Sequence, residues 1–337
     1  MESSPAGPNP GLIYQLALAY RSSAALFAAS DLNLFSLIGD GALTAPRLAE
    51  LNGAAREPLR MVLETCADLG LLVRDGDAFR NTPTSLKFLV AGQTAYLGDS
   101  LKYARDLYPA WGKLCDLVRT GAPTMPPETI LGDDKAKTRA FVMAMHERAK
   151  GIGSVLPHNV SLAGRTRLID IGGGPGTYSV ELCRQTPGLT STVLDRPGVL
   201  EVTRELVDAA GFAARVTLLP GDYLTTPYGT GFDAALLSGM MHRETADNVN
   251  LLLRKTSEAL VPGGQVMVSD VFFDDDSKNS PPFTTSFAIN MMLTSNHGSA
   301  HAKTEMARWM EANGFRDITI NDMPRPNPHT LILGIKS

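Results

Sequence analysis

Cysteine is scarce in this chain: Cys66, Cys115 and Cys183 are the only three in 337 residues. Their wide spacing fits no metal or redox pattern and suits buried thiols in a reducing compartment. An excess of either charge is also missing. Lys and Arg number 31 against 35 Asp and Glu, a net charge of −4, which gives no reason to expect nucleic acid or an anionic membrane as partner. No apolar run is long enough to cross a bilayer. The start, Met1-Glu2-Ser3-Ser4-Pro5, lacks the basic-then-apolar order of a signal peptide. These absences predict a cytoplasmic protein. Internal repeats and low-complexity tracts are absent too. What remains is a chain too long for one ordinary core, with 44% apolar and 20% charged residues, which suits a globular enzyme of two domains.

The most informative stretch is Leu168-Ile169-Asp170-Ile171-Gly172-Gly173-Gly174-Pro175-Gly176. A short apolar run reads as a buried parallel strand, the glycines as a sharp turn, and Thr177 to Arg184 as a helix. Strand, glycine turn and helix make a nucleotide cradle, in which the backbone turns tightly and approaches its ligand closely. A dinucleotide fingerprint would place a glycine at position 177, where Thr177 stands. The pattern D-x-G-x-G-x-G instead resembles the first motif of S-adenosylmethionine-dependent methyltransferases. Further strands are predicted at Thr192–Asp195, Val216–Leu219, Phe232–Leu237 and Gln265–Val271. Asp195 stands about 20 residues beyond the turn, where a ribose-binding acid is expected. Asp222 and Tyr223 follow the third strand, able to accept from an adenine amino group and to lie against its face.

Residues 1–8 are polar and read as disordered, and residues 11–37 carry helix-period apolar positions. Thr44 caps a predicted helix through Leu51, Arg56 to Asp68 forms another, and Leu71 to Phe79 reads as a two-stranded hairpin around Asp75-Gly76. That order makes a winged helix over residues 10–100. A groove-reading helix should concentrate positive charge, but Glu57, Glu64 and Asp68 dilute Arg56 and Arg60. The module therefore reads as a dimerisation unit; a small-molecule-sensing DNA-binding regulator is the rival reading. A helical linker over 101–136, with helix around 95–119 and a proline-rich loop at 123–127, leads to a catalytic domain over 137–337.

His242 follows the fourth strand, where a doubly wound sheet opens its ligand crevice. From His242 through Glu258-Ala259-Leu260-Val261-Pro262-Gly263-Gly264 to Ser269-Asp270, the sequence resembles the small-molecule O-methyltransferases of the caffeate and hydroxyindole type. With the glycine motif, Asp195 and Gly221-Asp222 in matching order, the resemblance covers the chain from about Leu12 onward. It implies an α/β fold: a doubly wound, seven-stranded, Rossmann-like domain behind a winged-helix dimerisation domain, acting as a homodimer. It also implies S-adenosylmethionine as cofactor and methyl transfer to a hydroxyl of a small, aromatic natural product. Carried over residue by residue, Asp170, Gly172 and Gly174 belong to the cofactor site, Asp195 holds the ribose, Asp222 and Tyr223 the adenine, and Ser238 lies near the base. His242 deprotonates the acceptor and Asp270 orients it. Phe141, Met145, Asn290, Met291 and His297 face the substrate.

Departures from the family pattern stand beside these matches. Arg243-Glu244 replace the Asp-Trp that follows the base, removing a tryptophan that covers the adenine. Ala300, His301 and Ala302 stand where a second acid and an Arg-Thr pair are expected. His297 and His301, four apart, would suit a metal with His242 if helical, but Gly298 and Ser299 oppose a helix there, and the site is read as metal-free. C- or N-methylation, or a non-methylating use of the same cofactor, is the alternative chemistry.

Overall fold

The computed structural model describes residues 7–126, 134–276 and 282–337. It divides into two compact units, Met1–Arg105 and Asp106–Ser337. Of the polar start, residues 1–6 lie outside the described residues, as does the last residue of the proline-rich loop. From Asp106 on, the stretch read as a linker clusters with the second unit, and its helix is two, Gly98–Trp111 and Leu114–Thr120.

In the first unit the helical run expected over 11–37 is three helices, Pro10–Leu18, Tyr20–Asp31 and Leu34–Ile38. Asn33 takes a left-handed φ of 53° at the second break, a conformation asparagine tolerates because its short polar side chain bonds locally. The Thr44 hydroxyl accepts the Arg47 N–H at 3.4 Å and starts the helix Ala45–Asn52. The helix Arg56–Asp68 buries Leu59, Leu63 and Cys66, a spacing that lines one face. The hairpin gains a strand: β1 (Leu43–Thr44) joins β2 (Leu72–Asp75) and β3 (Ala78–Asn81) in the order β1-β3-β2. Two residues are too few to show a strand period, so β1 had no signal. Leu34, Phe35, Leu48, Leu63 and Phe79 form the core, each such burial contributing about 1.5–3 kcal/mol.

In the second unit β4 (Arg167–Ile171), β5 (Thr190–Asp195), β6 (Val216–Pro220), β7 (Phe232–Ser238), β8 (Leu260–Asp270), β9 (Phe315–Asp322) and β10 (Thr330–Lys336) form one sheet, ordered β6-β5-β4-β7-β8-β10-β9. β4 to β8 run parallel, and β10 is antiparallel to both neighbours. Both faces are covered, so the strands alternate between two cores. Ile169, Ile171, Leu237 and Val268 pack with the helices Ala246–Ala259 and Lys303–Ala312. Leu168, Val193, Leu236 and Met267 pack with Thr177–Gln185 and Pro197–Ala209. Strand order reverses between β4 and β7, and such a switch point opens a crevice at the carboxyl ends of the strands. No helix among the described residues is long and apolar enough to cross a membrane.

Candidate active site

Gly172, Gly174 and Gly176 follow β4 with φ of 65°, 53° and 70°, a region in which a side chain is strained. Gly173 is constrained by space instead: a Cβ there would stand 2.6–2.9 Å from the Asp170 carboxylate. The sequence reading passed over this position because the pattern weights every second glycine. Nothing lies within 4 Å of a Cβ on Gly174, so the turn is open on that side. The turn is fixed from β5, where the Gly174 N–H donates to Asp195 Oδ2 at 2.8 Å and the Arg196 N–H to Oδ1 at 2.7 Å. Burial raises the Asp195 pKa against these two bonds. Asp170, 1% exposed, accepts the Ser179 hydroxyl at 2.6 Å on Oδ2. Its Oδ1 is buried with no partner among the described residues. Burial pushes its carboxyl up to about 7, with the Ser179 bond opposing and the charge of Asp195 adding.

After β6, the exposed Asp222 accepts the Leu224 N–H on Oδ1 at 2.7 Å, leaving Oδ2 clear of that turn. The Tyr223 ring reaches back to the glycine turn, its Cδ1 3.6 Å from where a Cβ on Gly172 would stand, level with Met240. Its phenol donates to Glu244 Oε1 at 2.6 Å. The Ser238 hydroxyl, at the end of β7, is buried with no hydrogen-bond partner placed among the described residues, although the Tyr178 phenol is near enough to feel it.

His242 sits on the short 3-10 turn Met241–Arg243 after β7 and is 9% exposed. Its Nδ1 lies 2.7 Å from Asp270 Oδ1, and its backbone N–H donates to Asp270 Oδ2 at 3.2 Å. Asp270 ends β8 and is 1% exposed. Burial alone would raise its pKa, but the charge and hydrogen bond of His242 outweigh that and hold it below the ordinary value. An ionised carboxylate is acceptor-only, so Nδ1 carries a proton, and in the neutral imidazole the lone pair is on Nε2. Nε2 has no partner among the described residues. Phe287 packs edge-on against the imidazole, with ring centres 4.9 Å apart.

His301 is not beside His297 on a helical face, since residues 295–301 have no regular helix. Its Nε2 donates to the carbonyls of Met241 at 3.2 Å and Glu244 at 3.1 Å, and its ring packs on Trp309. Ser299 donates its N–H to the His242 carbonyl at 2.8 Å. The histidine in the place of the family's arginine thus braces the turn that carries His242. His297 is exposed. Ala300 is buried with Phe273, Ala288 and Ala302, so no carboxylate stands there. Among the described residues no group of three or more His, Cys, Asp or Glu side chains could hold a metal ion.

The other expected substrate residues are dispersed. Met291 packs with Val271 and Phe287, which joins it to His242. The Asn290 amide oxygen accepts the Trp111 indole N–H at 2.9 Å. Phe141 packs beside its neighbour Val142 and against Val199 and Val202 of the helix that follows Asp195. Met145 lies with its sulfur 3.9 Å from Arg148 Nη1. Two histidines escaped the sequence reading, having no motif to mark them. His329 bonds Ser269 Oγ through Nδ1 at 3.1 Å, and His146 bonds Thr177 Oγ1 at 2.7 Å. Burial pushes each down to about 4.

Residues 111–316 match the O-methyltransferase domain, and residues 14–91 match the O-methyltransferase dimerisation domain. Over 99% of its length the chain is 30% identical to 3-hydroxy-5-methyl-1-naphthoate 3-O-methyltransferase of Streptomyces sahachiroi, covering 97% of that protein. It is also 30% identical to the tetracenomycin polyketide synthesis 8-O-methyltransferase of Streptomyces glaucescens, over 97% of each chain. Human N-acetylserotonin methyltransferase, solved with S-adenosylmethionine, shares the fold at a TM-score of 0.88 and 24% identity, with 99% of this chain and 100% of that one covered.

Proposed function

Because the chain belongs to the S-adenosylmethionine-dependent O-methyltransferase family, we propose that it methylates a hydroxyl of a small aromatic natural product, with His242 as general base. The support for an aromatic, phenolic acceptor is the relatives, one named for a hydroxynaphthoate and one for tetracenomycin polyketide synthesis.

The residues at the glycine turn fit the cofactor. Asp170 Oδ1 is a buried acceptor with no partner among the described residues, Gly173 admits no side chain, and Gly174 leaves open space. Gly172 and Gly174 are assigned to its methionine part and Asp170 lies beneath them. Asp195, whose carboxylate has lone pairs beyond the two bonds it accepts, is assigned to the ribose. Asp222 through Oδ2 and Tyr223 through its ring are assigned to the adenine, and Ser238 to the neighbourhood of the sulfur. When bound, the cofactor supplies a methyl group already activated by positive sulfur. A neutral hydroxyl is a poor nucleophile, so the chain's task is to place it in line and remove its proton. His242 Nε2 takes that proton, while Asp270 fixes the ring and stabilises the imidazolium. Asn290 and Met291 wall the acceptor with Phe287, and Phe141, Met145 and His297 are assigned to it as well.

The 2.7 Å contact between His242 and Asp270 carries this reading. The test is incubation with labelled S-adenosylmethionine and a panel of hydroxylated aromatic acids, followed by identification of the product. A methyl ether supports the proposal; a C- or N-methyl product overturns its oxygen acceptor. We also assign the dimerisation unit to pairing of two copies. The helix Pro10–Leu18 buries none of its residues, and Ile13, Tyr14 and Leu16 are 65–70% exposed, a patch that calls for a partner. Sedimentation of an Ile13→Asp, Leu16→Asp variant should show monomers where the parent shows dimers; a monomeric parent removes the assignment.

A further inference from the structure

We propose that Glu244 and Asn248 tether the Tyr223 ring as the cover of the cofactor's adenine, and so set cofactor affinity without touching the cofactor. The proposal rests on the assignment of Tyr223 to the adenine face. Glu244 stands where the resemblance leads one to expect the covering tryptophan, yet a carboxylate cannot stack on a base. It can hold something that does.

The geometry supplies each link. Tyr223 Oη donates to Glu244 Oε1 at 2.6 Å, and Asn248 Nδ2 donates to Glu244 Oε2 at 2.7 Å. Both carboxylate oxygens are therefore engaged, which fixes the carboxylate plane and with it the phenol. The Glu244 backbone is held as well, its carbonyl accepting from His301 at 3.1 Å. Burial raises the Tyr223 pKa, and the adjacent Glu244 raises it further, so the phenol remains a donor. The other end of Tyr223 is pinned by the same helix, Ala246–Ala259. The Tyr223 carbonyl accepts from Lys255 Nζ and Tyr228 Oη, each at 2.7 Å, and Lys255 also reaches the carbonyls of Leu224 and Thr226, each at 2.9 Å. The ring is thus held from backbone and from tip, with its edge against Gly172.

A ring that only filled space would not need its hydroxyl, and placing a glutamate beside it would cost desolvation for nothing. The pairing makes physical sense if the orientation matters. An unanchored tyrosine on a loop would lose rotamer freedom each time a ligand arrived, and a pre-anchored one has already lost it. The rival is that Glu244 acts through its negative charge on a cationic cofactor, and substitution separates the two. Glutamine keeps an acceptor for Tyr223 and can donate to a turned-over Asn248 amide, so it preserves the tether and removes the charge.

Calorimetric titration with S-adenosylhomocysteine is the test, on the full chain, with thermal melting as a folding control. Tyr223→Ala should weaken binding about 30-fold, in the range seen when an aromatic is removed from a base. Tyr223→Phe and Glu244→Ala should each weaken it about 5- to 10-fold, the scale of one net hydrogen bond. The double variant Tyr223→Phe, Glu244→Ala should be no weaker than either single one, because they remove the same bond. Glu244→Gln should bind within about 2-fold of the parent, since the shared hydrogen bonds survive. A Glu244→Gln variant as weak as Glu244→Ala overturns the tether in favour of charge. Unchanged affinity in both Glu244→Ala and Tyr223→Phe also overturns it, and leaves the Tyr223 assignment standing if Tyr223→Ala is weak. Unchanged affinity in Tyr223→Ala overturns that assignment itself. Should Glu244→Ala fail to fold, Tyr223→Phe and Glu244→Gln decide the matter alone.

Discussion

On the glycine-turn side of the crevice, Asp195 reaches Gly174 across 21 residues of chain. On the imidazole side, His242 reaches Asp270 across 28, His301 reaches Met241 across 60, and Trp111 reaches Asn290 across 179. One side is made mostly of backbone within a single β–α–β unit. The other is assembled from side chains on five separate segments. The first is a fixed cradle whose geometry depends on what residues lack, a Cβ above all. The second depends on what residues present, and each presented group needs its own support. Substitutions on the two sides should therefore fail in different ways, one in cofactor binding and the other in turnover.

The largest expected effect is on the imidazole side. His242→Ala should reduce turnover about 100- to 10,000-fold, the usual contribution of a positioned base, while leaving S-adenosylhomocysteine binding intact. Single-turnover rates with a hydroxylated acceptor that the parent enzyme methylates, set beside calorimetry, check both halves of that statement. A fall in cofactor affinity equal to the fall in rate would erase the division between the sides. A variant with full activity would remove His242 from the chemistry.

The next effect is on the glycine side and compares neighbours. Gly173→Ala places a methyl group 2.6–2.9 Å from the Asp170 carboxylate. In a packed site that should cost about 1–3 kcal/mol, read as lowered melting temperature and weakened S-adenosylhomocysteine binding. In the ligand-free protein Gly174→Ala meets no atom within 4 Å among the described residues and bears only the strain of its φ of 53°, about 1–2 kcal/mol, although its methyl group enters the space assigned to the cofactor. Gly173→Ala should lower the melting temperature of the ligand-free protein more, although Gly174 is the one the motif marks. The reverse ranking would mean that conformation, not space, governs this turn.

That pair shows what the sequence can and cannot disclose. Gly172, Gly174, Asp195 and the strands around them are legible because a tight turn between a buried strand and a helix restricts residue type locally. Gly173 hides inside the same run, since its need for glycine comes from a side chain three residues back. On the imidazole side His242 is readable from its place after the fourth strand together with the resemblance, and Asp270 only through the resemblance. Phe287 and Trp111 are not readable at all: an apolar period says that a ring is buried, never that it lies against an imidazole or on an amide. His297 and His301 mislead for a physical reason. A spacing of four means one face only on a helix, and residues 295–301 form none.

His301 sharpens the comparison at a smaller scale. It donates to two carbonyls of the turn bearing His242. His301→Ala should lower turnover about 10-fold, since each buried carbonyl left unpaired costs on the order of 1 kcal/mol and loosens the base. His301→Gln, with an amide donor near the same place, should recover most of it. Cofactor binding should change in neither variant except through Glu244, whose carbonyl is one of the two. If His301→Gln is as slow as His301→Ala, the ring's packing on Trp309 matters more than its bonds.

The smallest expected effect is on stability, and it has opposite sign on the two sides. Asp170 is raised from 3.8 to about 7 by burial. Below 3.8 both folded and unfolded chains hold its proton. As pH climbs from there toward 7, the unfolded chain ionises first, so stability falls with rising pH. His329, on the imidazole side, is lowered from 6.5 to about 4, again chiefly by burial. Above 6.5 it is neutral in both states. As pH drops from 6.5 toward 4, the unfolded chain takes the proton first, and stability falls with falling pH. Asp170→Asn still accepts from Ser179 and should raise the melting temperature by about 2–4 °C at pH 8 and little at pH 4, on the scale of one kcal/mol for a domain of this size. His329→Gln should raise it by a similar or smaller amount at pH 5 and not at pH 8. Melting curves of the ligand-free protein across that range would reveal the two slopes. If both variants gained at the same end, burial would not be the force that sets these two groups apart.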